Sequence, residues 1–509
     1  MLPVCVLAQA GRIRLIINVK KCNKNFTNGH ACPIIGILQS IQGDEMAYNF
    51  IECNRDQMYL MPPSLRDWLP EGDIAWFMLD TVKQMDLSSF YNKRRPDGWG
   101  AASYEPSMMV ALLLYAYSKG ELSSREIERL CERDIAFKVI TANQKPDHSS
   151  ISRFRKDNSK ELAGLFVQIL RLCAEAGLVK VGTVALDGTK IEANASLSAN
   201  RSKEHLEKEV AKRLAEAEAT DKKEDKQYGP DKRGDELPDD LQNRKSRLER
   251  LKACKQRLEK QEEEARQKQQ EKIEKRQAEE EATGKKKRGR KPKEPDEIEL
   301  NEKKANVTDP DSRIMKTRKG FVQGYNGQAV VTEQQIIVAA DLSQEENDVK
   351  QLQPMIDEAE QNLQAADIEE KIGNAVADAG YLSEDNLEYE TEDGPTLYIA
   401  TKKDHKQRTA TDEKPIPEGP MPEGLSLRER MEWRLSTKEG KEIYLSACYA
   451  QAGKKRSPMS EGVYGQIKSC RDISRFVRQG LESCRSEWKI ICSTHNLLKL
   501  YLSGKTCCT

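Results

Sequence analysis

Two stretches of the sequence share one unusual pattern. In VALDGTKIEANAS (residues 184–196) and IGNAVADAGYLSEDNL (residues 372–387) an apolar run ends on an aspartate, Asp187 or Asp378, and turns almost at once through Gly188 or Gly380. A carboxylate at the tip of a buried strand is costly unless a cation or a substrate meets it there. If the two strands are neighbours in one sheet, Asp187 and Asp378 converge at the same edge. Paired carboxylates repel each other unless a divalent ion neutralises them, and all-oxygen ligands suit Mg²⁺ or Mn²⁺. One aspartate at a strand end is ordinarily a turn residue; the repetition points to a metal site.

A third carboxylate is expected on a later helix. The candidate is Glu461 in MSEGVYGQIKSCRDISRF, where Tyr464 and Lys468 lie three and seven residues on and share its helical face. Gly462 and Gly465 weaken that helix. Asp341, ending the apolar run IIVAAD, is the rival for a ligand position. His148 in PDHSS and His495 in STHNLL read as capping or packing histidines.

The elements that must hold these residues follow from the periodicity. Residues 46–175 read as helical, through YEPSMMVALLLYAYSKG, SSREIERLCERDIAFKVI and SSISRFRKDNSKELAGLFVQILRLCAEAG. Ser123 and Ser124 are candidate caps of the second helix, with Glu126 near the capping-box position. The third places Leu162, Leu165, Phe166, Ile169, Leu170 and Cys173 on one face, with Gly177 as its stop. Short helices with Arg153 and Arg155 near the start of the third suggest a helix-turn-helix-like DNA module; an ordinary helical bundle with a solvated basic face is the equal alternative. After the strand to Asp187, GFVQGYNGQAVV and QQIIVAADLS form a hairpin turning near Glu333 and Gln334. A helix bearing Leu352, Met355, Ile356, Ala359 and Leu363 follows, then the strand to Asp378 and another strand at TLYIATKK. Trp488, with Leu481, Cys484, Ile491 and Leu498, reads as a core helix stripe.

Between the first strand and the hairpin the chain changes character. Residues 200–305 are dominated by Lys, Glu, Arg, Gln and Asp, a composition that cannot build a core. Leu241, Leu248, Leu251 and Leu258 fit a short heptad pattern interrupted at Arg244 and Lys255, so a solvated helical arm, paired near its leucines as a short coiled coil, is expected. Within it GKKKRGRKPKEP (residues 284–295) carries a Gly- and Pro-broken basic strip similar to an AT-hook, with Arg288 and Arg290 poised for a narrow minor groove. Generic phosphate attraction is the simpler reading of that strip.

Composition limits the rest. The 509 residues carry 83 Lys+Arg and 83 Asp+Glu, so overall charge selects neither nucleic acid nor membrane, and 37% hydrophobic with 6% aromatic residues is lean for one large globule. None of the 13 cysteines falls in C-x-x-C spacing, which fits reduced thiols rather than a zinc ribbon or redox dithiol. The first 45 residues show no sustained period, make a poor signal peptide and read as an unstructured leader, with Met46 a more natural start. The apolar stretch at residues 108–117 is too short to span a bilayer, which needs about 20 residues. A soluble, intracellular protein is expected.

At this point the residues carry a resemblance. RDQMYLMPPSLRDWLP, KPDHSSISRFR, VALDGTKIEANAS, DPDSRIMKTRKGFVQGYNGQAVV, VADAGY and EGVYGQIK followed by EWKIICSTHNLLKL occur in one order, and over residues 46–502 the chain resembles the DDE-type transposases of bacterial insertion sequences. The resemblance implies an α/β fold: an RNase H-like mixed sheet flanked by helices, with an N-terminal helical DNA-binding-like region and a long charged helical insertion. Its divisions would be a leader at 1–45, the helical region at 46–175, the first catalytic strand at 176–199, the insertion at 200–305, the remaining catalytic domain and C-terminal helices at 306–502, and a tail at 503–509. The implied catalytic and metal-binding triad is Asp187, Asp378 and Glu461, with two Mg²⁺ or Mn²⁺ ions, and Lys468 would hold a phosphate. Double-stranded DNA is the implied partner, a homodimer on paired element ends the implied assembly, and the nucleoid-associated cytoplasm the implied location. Relatives commonly place a Tyr, basic residues and Val-Glu-Pro before the Val-aromatic-Gly; here Gly453–Arg456 precede Ser460-Glu461-Gly462. That departure keeps a second reading open, a catalytically decayed DNA-binding remnant.

Overall fold

The computed structural model describes residues 5–9, 12–16, 64–93, 103–212, 215, 239–283, 304–317, 320–390, 394–402, 406–407, 415–417, 419–448 and 459–504. The chain divides into two units. In the first, residues 1–63, β1 (Cys5–Gln9) and β2 (Arg12–Ile16) pair antiparallel; the rest of the expected leader, residues 1–45, lies outside the described residues.

The second unit, residues 64–509, opens with helices α1 (Ile74–Lys83), α2 (Ser88–Tyr91), α3 (Pro106–Ser118), α4 (Ser124–Arg133), α5 (Ile135–Ile140), α6 (His148–Asp157) and α7 (Ser159–Glu175). Local chemistry sets several starts: Asp73, Asp134 and Asp147 each accept a backbone N–H of the first turn, occupying donors a helix leaves unpaired. Ser123 precedes α4 but makes no side-chain cap bond. The expected stripe on α7 is buried, and Gly177 beyond it has φ +66°, the left-handed stop that glycine adopts without strain.

The sheet that follows carries the two aspartates. Its strands are β3 (Thr183–Glu192), β6 (Arg313–Thr317), β7 (Gly320–Thr332), β8 (Ile337–Ser343), β9 (Asn374–Ala377) and β10 (Thr396–Ile399); β4 (Asn200–Ser202) and β5 (Lys304–Asn306) form a separate pair. The order is β10-β9-β3-β7, with β8 and β6 sharing the far side of β7. β10, β9 and β3 run parallel, and β7 runs antiparallel to both β3 and β8. This mixed sheet flanked by helices is consistent with an RNase H-like DDE domain. β7 is buried from Gln323 to Thr332 although Gln323, Asn326, Gln328 and Thr332 are polar; the side chains of Gln323, Asn326 and Gln328 are hydrogen-bonded inside, to Ser312 and Asp348.

Between strands lie α8 (Asp239–Thr283), α9 (Leu352–Ala365), α10 (Glu384–Glu388), α11 (Leu427–Ser436), α12 (Lys438–Cys448), α13 (Met459–Gly465) and α14 (Leu481–Leu502). The five apolar residues expected on one face of α9 are all buried. α14 closes the core. Its Trp488 is fully buried, donates to the Gln328 carbonyl at 3.1 Å, and presses on Gly327, where a methyl group would sit 3.2 Å from the indole ring. Asn496 treats β8 as a strand would, accepting from Ile337 N at 2.9 Å and donating to Ile337 O at 2.8 Å. His495 Nε2 lies 2.9 Å from Gln335 O, and burial lowers the imidazole pKa to about 3, so the ring is neutral packing, as expected.

The N-terminal helices do not stand apart. Residues of α1–α7, the sheet and α14 belong to one hydrophobic cluster. Polar bonds cross it too: Arg155 on α6 donates to Tyr117 Oη at 3.1 Å and Leu122 O at 2.7 Å, and Tyr117 donates to Glu487 on α14 at 3.3 Å. The charged insertion has a small core of its own, where Leu251, Cys254 and Leu258 of α8 meet Leu206 and Ala305. The composition concealed this, because a few residues at helical spacing suffice to bury one short face. Those leucines pack on the chain's own residues, which replaces the coiled-coil pairing expected of them; Leu248 is only half-buried, and the side chain of Leu241 lies outside the described residues.

Candidate active site

The register of the parallel pair puts Asp187 and Asp378 side by side. β3 and β9 align Leu186 with Ala377, and the two aspartates are the next residue on each strand. At this edge β3 continues along β7 while β9 ends, so the chain turns away through Asp378, whose side chain accepts from Gly380 N at 2.8 Å. Asp187 accepts from Gly188 N at 2.8 Å and also takes a hydrogen bond from Ser460. Its carboxyl pKa is pushed up to about 7, first by burial and then by the charge of Asp378, with Asp348 adding to the effect.

Asp348 is the carboxylate that sequence reasoning missed. It lies in the polar stretch between β8 and α9, where nothing distinguishes it from Glu345, Glu346 and Asn347. Asn326 and Gln328, both on β7, donate to its Oδ1 at 2.6 and 2.7 Å, and Lys190 Nζ lies 3.9 Å away. Tyr381 donates to Gln328 Oε1, closing a buried chain of bonds beneath the two aspartates. The glycines make room for it. A methyl group at Gly188 would collide with Gln328 and Asp348, and one at Gly380 would sit 2.9 Å from Asp378 Oδ1 and 3.4 Å from Asp348 Oδ2.

α13 supplies the opposite wall. Tyr464 donates to the Asp187 carbonyl at 2.5 Å, and Lys468 Nζ donates to Thr189 Oγ1 and Lys190 O, both at 2.6 Å. The Lys468 pKa is lowered, chiefly by burial, while the negative charge of Asp187 opposes the shift. Lys468 sits in a π-helical turn, Gln466–Cys470, that continues α13; such turns recur at functional sites.

Glu461 does not join this group. Ser460, Tyr464 and Lys468 face β3, whereas Glu461 is exposed on the neighbouring side of α13, beside a cleft that Gln335, Ser446 and Cys470 also line. The spacing expected for a shared face, three and seven residues from Glu461, is displaced by one residue to Ser460. Asp341 on β8 pairs with Arg485 instead of entering the site. Among the described residues no group of three or more His, Cys, Asp or Glu side chains could hold a metal ion. The donor chemistry at Asp187 and Asp378 still fits a divalent cation: two adjacent carboxylates, one of them driven toward protonation by burial and then by its neighbour.

The expected DNA contacts divide three ways. Arg153 is exposed on α6. Arg155 is 5% exposed and committed to Tyr117, Leu122 and Ser124, so it serves packing rather than a DNA surface. Helical periodicity accounts for the correction, since Arg155 shares its buried face with Ile151 and Phe154. Arg288 and Arg290 lie outside the described residues.

Comparison with known families places this geometry. Residues 63–157 match a transposase domain (DUF772), and residues 290–444 match a transposase DDE domain that contains Asp378 and lies between Asp187 and Glu461. No curated protein and no solved structure matches. Family members of this kind typically use divalent metal ions, in keeping with the paired aspartates. Among the described residues no helix is long and apolar enough to cross a membrane. A match to a transposase domain followed by a match to a transposase DDE domain, on a chain whose mixed sheet sets Asp187 beside Asp378, supports a DDE-type transposase of the insertion-sequence kind.

Proposed function

We propose that this transposase cuts and joins DNA at the ends of its own element by phosphoryl transfer, with Asp187 and Asp378 holding two Mg²⁺ or Mn²⁺ ions. The observation that carries the reading is the register of the parallel strands β3 and β9, which sets the Asp187 and Asp378 carboxyls side by side; burial and the charge of Asp378 push the Asp187 pKa up to about 7. Such a group gives up its proton readily when a cation arrives. Ions held there would polarise the scissile phosphate and activate a water or a DNA 3′-hydroxyl.

The chain's own residues do the positioning. Gly188 and Gly380 leave space above the carboxylates. Gln328 and Asn326 fix Asp348, whose charge keeps the edge acidic. Ser460 and Tyr464 hold the Asp187 side chain and carbonyl in place. Lys468, anchored on β3 one turn of α13 beyond Tyr464, is placed to take a phosphate oxygen beside the cut. Glu461 is the third carboxylate of the family pattern, and it would reach the edge only by rotation of α13 about its axis. Helices α1–α7 form the DNA-binding-like region, the charged insertion an arm with a basic strip, and two protomers would act on paired ends.

The test is incubation of the protein with a supercoiled plasmid carrying both element ends and Mg²⁺. Cleavage at the element boundary, abolished by a chelator, is expected; stable binding without any cleavage would favour the decayed remnant.

A further inference from the structure

Away from the aspartates, the N-terminal helices and the segment Val477–Gln479 before α14 line an open groove of about 1140 Å³, with Arg125, Arg153, Lys156 and Arg478 on its walls. Asn194 and Gln479 line its floor side. Of the acidic residues of α4, Glu126 pairs with Arg129 and Glu132 with Lys145 at 3.3 Å, and Glu128 is hydrogen-bonded to His148 at 2.7 Å. Arg125, Arg153 and Lys156 are exposed and form no ion pair among the described residues, and Asp157 is the one carboxylate on the groove wall. Uncompensated cations gathered along a groove attract a polyanion.

The groove is rigidly tied to the strand that carries Asp187. The backbone of Glu192, at the end of β3, accepts from Phe476 N at 2.9 Å and donates to Ser474 O at 3.0 Å. Asn194 Nδ2 donates to Val477 O at 2.9 Å, and Gln479 Nε2 donates to Asn194 O at 3.1 Å. Arg478 donates to Ser159 at 3.1 Å at the start of α7. At ~3.3 Å per residue, the chain from Asp187 to Asn194 spans at most ~23 Å, roughly seven base steps of duplex.

We infer that this groove holds the phosphate backbone of duplex DNA within about seven base pairs of the bond that Asp187 and Asp378 address, with Arg125, Arg153 and Lys156 as the phosphate contacts. The inference rests on the reading that the chain acts on duplex DNA at that edge. It gives the first matched domain a role in which α4 and α6 present the cations, while the buried Arg155–Tyr117–Glu487 bonds lock those helices onto α14.

The test measures binding by fluorescence anisotropy, on the full chain carrying Asp187→Asn to prevent cutting and a 30-base-pair duplex of the element end. The Arg125→Ala/Arg153→Ala/Lys156→Ala variant of that protein, with thermal unfolding unchanged, should bind at least tenfold more weakly. Each phosphate contact contributes about 0.9 to the dependence of log affinity on log salt, so the slope should fall by roughly 2 to 3. Ethylation interference should place the lost contacts within about seven base pairs of the cut. Equal affinity and equal slope in the two proteins would overturn the groove while leaving the transposase reading intact. An equal slope with weaker binding would also overturn it, because phosphate contacts must carry salt dependence. Failure of the Asp187→Asn parent to bind the duplex would overturn the underlying reading, and the groove with it.

Discussion

Ser460 and Glu461, consecutive on α13, meet different surroundings: Ser460 donates to the Asp187 carboxylate, while Glu461 stands exposed beside the cleft lined by Gln335 and Cys470. One residue of helical rotation, about 100°, therefore decides which side chain addresses the paired aspartates. In this structure the hydroxyl holds that place, and the carboxylate edge consists of Asp187 and Asp378 with Asp348 behind them.

Asp187→Asn should stabilise the metal-free protein and abolish cleavage. The folded pKa of Asp187, about 7, lies above its ordinary value of 3.8. The folded state then holds a proton that the unfolded chain releases, so this contribution is fully present below about pH 4 and is lost as pH rises toward 7. At 1.36 kcal/mol per pH unit its ceiling is roughly 4 kcal/mol. The wild-type melting temperature should fall between pH 5 and pH 8 without divalent ions, and recover with Mn²⁺ at pH 8; the Asn variant should show a flatter profile and no Mn²⁺ response.

Gly188→Ala should lose activity and stability together. The added methyl meets Gln328 and Asp348, which are bonded to each other at 2.7 Å and held by Asn326 and Tyr381. Overpacking of this kind costs about 1–3 kcal/mol, measurable by urea denaturation. A variant as stable and active as wild type would show that this network yields easily.

Lys468→Met should keep the fold and lower the cleavage rate by at least tenfold, with DNA affinity changed far less. The Nζ bonds to Thr189 Oγ1 and Lys190 O make removal a modest structural loss. Single-turnover rates at saturating protein separate the two effects.

Arg155→Ala should damage folding rather than recognition. Removing the guanidinium leaves the buried Leu122 carbonyl and Tyr117 hydroxyl without their donor, and Glu487, fully buried with its pKa raised by burial, without the cation that most opposes that shift. Each buried polar group left unsatisfied costs about 1–3 kcal/mol. Adding Glu487→Gln should restore part of the loss, and the folded fraction should bind DNA as wild type does.

Much of this was legible in the residues because the physical cause is local. The apolar runs before Asp187 and Asp378 each report a strand, but β3 runs on through Gly188 to Glu192, so only Asp378 stands at a strand end, and it is the β3–β9 register that brings the two together. The faces of α7 and α9 follow from helical spacing, and both are buried as read. Asp348 was not legible, since its meaning depends on Asn326 and Gln328, some twenty residues earlier and on another strand. The burial of Arg155 depends on Glu487 and Tyr117, which only the folded chain brings near. At Glu461 spacing within the helix gives only relative faces; contact with β3 sets which face turns inward, and here that face carries Ser460, Tyr464 and Lys468 while Glu461 is exposed. Composition misled over the insertion, where Leu251, Cys254 and Leu258 bury a face that the surrounding charge hides.

The central claim is that Asp187 is a metal ligand in DNA cleavage, and exchange of its carboxylate for a thiolate tests it most directly. Mg²⁺ prefers oxygen ligands, while Mn²⁺ tolerates softer donors. Asp187→Cys should be inactive on element-end DNA with Mg²⁺ and regain cleavage with Mn²⁺, whereas Asp187→Ala should be inactive with both. Cleavage by Asp187→Ala at the wild-type rate with Mg²⁺ would contradict the assignment.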